Sequence, residues 1–216
     1  MSKKPLLSLT LTELWCELKF YADNLKKNDS TKVLNELNRL IQSLKEKEKG
    51  KCEESIIKLL RVPIWLLRHK VTKPSIILIA LHRNSPKDLV ELLSNTYGEK
   101  FSSSVELLTK KDYENKSKEE RVSLRLADFK NAVEKSKEAA IVLLADYFIN
   151  KIDFKTEIDN DKKISWAEKF QPRIEILYNH FSKNFKTEQG VVLSVKQITD
   201  ILMEDLACIK GVLQLA

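Results

Sequence analysis

The chain has 216 residues, 43% hydrophobic and 32% charged, with a net charge of +7. Four glycines and five prolines leave few tight turns and few strands, and so few glycines make a backbone phosphate cradle hard to assemble. Cys16, Cys52 and Cys208 show neither metal spacing nor a C-x-x-C motif. No disulfide framework is expected, and reduced thiols fit an intracellular protein.

This composition points to an all-α, multi-helix bundle. The apolar run after Met1-Ser2-Lys3-Lys4-Pro5 is too short for a signal peptide and fits an amphipathic helix. Thr10-x-x-Glu13 is a capping-box signature and predicts a helix over about 10–27. Val33, Leu34, Leu37, Leu40, Ile41 and Leu44 fall at helical spacing and predict another over 30–48. Further helices are expected over 53–60 and 63–71. Pro74, behind Thr72 or Lys73, opens one over 74–83, and Ser85-Pro86-Lys87-Asp88 opens one over 86–98. After a helix over 102–112, Ser117-x-x-Glu120 starts the longest, 117–150. Its face of Val122, Leu126, Phe129, Val133, Ala140, Leu144, Tyr147 and Phe148 is long enough to span the fold. Ser165-x-x-Glu168 and Ser194-x-x-Gln197 mark helices over 164–186 and 194–214, the first with a kink point at Pro172.

Polar stretches at 110–118 and 151–163 read as connections. They divide the chain into an N-terminal helical bundle, 1–108, and a C-terminal helical unit, 117–216, which can pack as one body. The longest uncharged apolar run, 74-PSIILIALH-82, is about half a bilayer span. A soluble protein with no membrane partner is expected.

No G-x-S-x-G, no sequence-adjacent Cys/His pair and no clustered metal-ligand spacing is present. The expectation is a non-enzyme with no cofactor, no metal and no small-molecule substrate. Trp15, Trp65 and Trp166 sit at apolar-periodic positions and read as core rather than as base-stacking platforms. Arg173 and His180 lie two turns apart on one helix face. This R-x6-H spacing resembles that of helical ribonucleases that use Arg and His across a dimer. Ile174 follows the Arg, where those enzymes usually carry a polar residue, and a surface Arg beside a half-buried His is the plainer reading.

Charge is uneven along the chain. Residues 1–108 carry 19 Lys/Arg against 13 Asp/Glu, whereas the rest carry 19 against 18. Between Ser55 and Lys87 there are seven basic residues and no acid. Ile64, Leu67 and Val71, then Ile76, Leu78, Ile79 and Leu81, make two apolar faces there. Lys58, Arg61, Arg68, Lys70, Lys73, Arg83 and Lys87 must lie outside them, because burying an unpaired charge is costly. With His69 and His82 they are expected to form an exposed basic ridge that docks an acidic protein segment or partner subunit. Acids from other helices can still pair with them. Nucleic acid is the alternative ligand. A structural subunit of a larger complex is another reading, with the apolar stretch 206-LACIKGVLQLA-216 as a buried end or partner contact.

The order of features in residues 57–97 resembles the N-terminal helical domain of transcription elongation factor S-II, elongin A and the integrase-binding chromatin adaptors. The counterparts are 59-LLRVPIWLLRHKVT-72, 76-IILIALHRN-84 and 86-PKDLVELLSNTY-97. Pro74-Ser75 stands where that family has Ile-Gly, its basic trio is reduced to His82-Arg83, and Thr96-Tyr97 replaces its closing Trp-Lys. The resemblance implies a nuclear docking module of transcription or chromatin that takes short acidic-hydrophobic motifs; without it, a cytoplasmic protein is expected.

Overall fold

The structure, a computed structural model, describes residues 6–47, 52–85, 87–156 and 170–181. Among the described residues it is all-α, with no strand. A 3-10 turn, Leu6–Ser8, leads into α1 (Leu11–Asp23), α2 (Lys27–Lys47), α3 (Cys52–Arg68) and α4 (Pro74–His82). Then come α5 (Lys87–Tyr97), α6 (Glu99–Leu108), α7 (Lys118–Lys135) and α8 (Lys137–Thr156). Residues 170–181 are helical as well. The capping boxes expected at Thr10/Glu13 and Ser117/Glu120 are both formed, and Pro74 opens α4 behind Lys73. The boxes at Ser165 and Ser194, the helix over 194–214, Trp166 and Cys208 lie outside the described residues.

The centre of the fold is α4, in which every residue from Ile76 to His82 is buried. A helix without a polar face has to be surrounded, and α2, α3, α6 and α8 all pack on it. α1 lies on α3, and α7 lies on α6 and α8. One continuous core joins Leu6 before α1, the α8 residues Ala140 and Leu144, and Ile174, Leu177 and Phe181 of the 170–181 helix.

The expected separation of helices over 53–60 and 63–71 is corrected: α3 runs unbroken with Pro63 inside it. A prolyl ring has no N–H to give the carbonyl four residues back, here Leu59. Arg83, just past α4, reaches that place. Its Nη2 donates to the Lys58 carbonyl at 2.7 Å and its Nη1 to the Leu59 carbonyl at 3.5 Å.

The helix expected over 117–150 is instead two helices. Ser136 between them is extended (φ −137°, ψ 112°). Its Oγ accepts the Ala139 N–H at 3.1 Å, capping α8, and lies 2.9 Å from Ser104 Oγ on α6. The break lets Phe129 and Val133 of α7 and Ala140, Leu144 and Tyr147 of α8 all enter the core, while Val122 stays 60% exposed. α8 then continues to Thr156, so part of the loop expected over 151–163 is helix. The helix expected over 102–112 begins and ends earlier, as α6, directly after Gly98 (φ 87°).

Candidate functional site

The expected ridge divides into exposed and internal residues. Lys58 is exposed and paired with Glu54 one turn back at 2.5 Å. Lys70 and Lys73 are exposed, and Lys73 pairs with Glu138 of α8 at 2.8 Å. Arg61 is half-buried, and its Nε lacks a hydrogen-bond partner. The His69 ring stacks on buried Trp65 at 3.9 Å, with Nδ1 2.8 Å from the Trp65 carbonyl. Lys87 opens α5.

Arg68, His82 and Arg83 correct the expectation of exposure. Arg68 forms a fork on Glu17 of α1, Nε at 2.5 Å and Nη2 at 2.6 Å, and its side chain is only 12% exposed. Arg83 is buried and donates to the carbonyls of Ala80, Lys58 and Leu59 and to Asp146 of α8. Burial pulls its guanidinium below the usual range, against the opposing charge of Asp146. His82 is wholly buried. For Arg68 and Arg83 an acid remote in sequence folds against the cation and compensates its desolvation.

His82 lies in a row that sequence reading missed. Its Nδ1 is 3.0 Å from Ser85 Oγ, and its Nε2 is 2.7 Å from Glu36 Oε1, at ion-pair distance but off the hydrogen-bond axis. Glu36 also accepts from Arg39 Nε at 3.0 Å and from the Tyr97 hydroxyl at 3.2 Å. Burial alone would raise the Glu36 carboxyl, but the close approach of the His82 ring and the Arg39 guanidinium outweighs it and holds it at about 2. Burial, and then the Glu36 charge, push Tyr97 up to about 12. A hydroxyl, an imidazole and a carboxylate in line have the composition of a proton relay. Here all three residues are buried, and the row ties α2 to α4. The signal for Glu36 was its position one turn from both Val33 and Leu40 in the apolar stripe of α2.

Two features face outward. The first is the turn after α3. Lys70 has φ 61°, in the left-handed region. Its N–H bonds the Leu67 carbonyl and that of Val71 bonds the Leu66 carbonyl, both at 3.0 Å. This is the doubly bonded helix end that favours glycine at the Lys70 position. The second is a cavity of about 300 Å³ where the starts of α2, α4 and α8 meet the α5–α6 junction. Leu78, Ile79, Tyr97 and Phe101 form its apolar wall, Lys32, Lys73 and Lys100 its cations, and Asp29 and Glu138 its acids. Burial would raise Glu138, but its hydrogen bond to Lys73 and the nearby cations hold it below its ordinary value. Only Lys73 belonged to the expected ridge.

The Arg173/His180 spacing leads to the core rather than to a free pair. Arg173 Nη1 donates to the Tyr147 hydroxyl at 2.6 Å, and the guanidinium lies 5.8 Å from the Phe129 ring centroid. His180 is half-buried, and burial lowers its pKa. Trp65 is core as expected, while Trp15 is half-buried and packs against it. Among the described residues no group of three or more His, Cys, Asp or Glu is placed to hold a metal, and no helix is long and apolar enough to cross a membrane. No protein-family model, curated protein or solved structure matches the chain.

Proposed function

We propose that this chain is a non-enzymatic helical adaptor that docks an acidic protein segment on the basic surface around the α3–α4 turn. The observation that carries this reading is Lys70. A lysine is held exposed in a left-handed conformation, φ 61°, where glycine would be unstrained. Backbone strain retained at an exposed cation points to selection for the side chain rather than for stability. No described carboxylate pairs with Lys70. The resemblance of residues 57–97 to docking modules of transcription and chromatin complexes supports the same reading and would place the protein in the nucleus. Internal use of Arg68 and Arg83 removes two of the cations that a phosphate backbone would need, which favours a protein partner over nucleic acid.

The test is fluorescence anisotropy with a labelled peptide that alternates Asp/Glu with Leu/Phe, at low and physiological salt. Lys58→Glu combined with Lys70→Glu should weaken binding by about tenfold or more. The melting temperature should fall only slightly, because both side chains are exposed and the Lys58–Glu54 pair that is lost lies at the surface. Binding unaffected by the double reversal, or tighter and steeply salt-dependent binding to RNA or DNA, overturns the reading.

A further inference from the structure

We propose that the cavity between the starts of α2, α4 and α8 is a site for a small amphipathic monocarboxylate, an aromatic or short alkyl body bearing one carboxylate. Its volume of about 300 Å³ is at the lower end of the range of small-molecule sites. Leu78, Ile79 and Phe101, each less than 10% exposed, form a rigid apolar wall. The Tyr97 and Phe101 rings, tilted at 4.7 Å between centroids, add an aromatic face against which a ring or chain can pack.

The polar groups define the charge of the ligand. Lys73 is already paired with Glu138. Lys32 and Lys100 are exposed and have no described carboxylate within ion-pair distance. Ser75 also lines the cavity, with its hydroxyl enclosed away from the open space. Three lysines face two carboxylates, Asp29 and Glu138, around one cavity. A single negative charge balances that set. A phosphate dianion or a nucleic-acid backbone brings further charge against Asp29 and Glu138 and is disfavoured. The ligand binds unchanged, and no chemical step is involved. The inference uses neither Lys58 nor Lys70, so it stands or falls apart from the docking reading.

The full chain is titrated with 3-phenylpropionate and with hexanoate, followed by NMR chemical shifts, with 3-phenylpropanol and inorganic phosphate as comparison probes. Saturable binding of the carboxylates at about millimolar concentration is expected, as suits ligands of this size. The alcohol and phosphate should bind about tenfold or more weakly. Lys32→Ala with Lys100→Ala should weaken carboxylate binding by about tenfold. Lys26→Ala with Lys27→Ala should leave it unchanged. Melting curves of the lysine variants should overlay the parent, since these side chains are exposed. Absence of saturable binding up to about 10 mM, indifference to the Lys32/Lys100 pair, equal loss in the Lys26/Lys27 pair, or equal affinity for phosphate overturns the proposal.

Discussion

Arg83 supplies hydrogen bonds to the stretch of α3 where Pro63 withholds one. Its guanidinium is buried against the Lys58, Leu59 and Ala80 carbonyls and Asp146. Replacing it by Met strands buried carbonyls and should cost about 3 kcal/mol. Pro63→Ala returns an N–H to Leu59. The loss from Arg83→Met should therefore shrink in the Pro63→Ala background, with a coupling of at least about 0.5 kcal/mol in a denaturant-based double-mutant cycle. Strict additivity would show that the two residues act independently.

Acid should weaken the α2–α4 contact through Glu36. Its folded value of about 2 lies below the ordinary 4.5, so the unfolded chain takes up the proton first. The stabilisation is present above pH 4.5 and is lost as the pH falls toward 2. After allowance for solvent screening it amounts to about 2 kcal/mol. Urea midpoints measured across that window should fall in the parent chain and fall less steeply in Glu36→Gln. An identical slope in the variant would remove Glu36 as the cause.

Lys70→Gly should raise stability by about 0.5–1 kcal/mol, because the left-handed conformation is strained for lysine and free for glycine. Lys70→Val, β-branched at the same φ, should lower it. If Lys70 serves docking, the glycine variant gains thermal stability and loses affinity for the acidic peptide. A lower melting temperature for Lys70→Gly would contradict the strain argument.

Ser136 turns the chain from α7 into α8 and caps the second helix. Ser136→Ala should cost about 1–2 kcal/mol, whereas Ser136→Asp should retain the cap but lose the hydroxyl contact with Ser104. Hydrogen exchange at Ala139 and Ala140 reads the local effect. Unchanged protection of both amides in Ser136→Ala would mean that packing alone fixes the break.

Much of the helix pattern was legible in the sequence because its signals are local. Thr10 with Glu13, Ser117 with Glu120, and Lys73 with Pro74 act within one turn of backbone, whatever the rest of the chain does. The 3.6-residue stripe of α2 likewise marked Val33, Leu37, Leu40 and Ile41 as core. The helix ends expected within 157–169 and 182–216 lie outside the described residues.

The basic stretch shows where local reading ends. Ser55 to Lys87 contains no acid, yet Arg68 meets Glu17 51 positions away and Arg83 meets Asp146 63 positions away. Sequence proximity decided most helix starts and apolar faces, but not that α3 runs through Pro63 or that Ser136 divides α7 from α8. Which cation is buried, which is free, and which lysines share a cavity with Tyr97 and Phe101 were decided only when helices far apart in the chain packed together. Coulombic pairing and desolvation depend on distance in space, and that distance is set by the sum of all helix contacts.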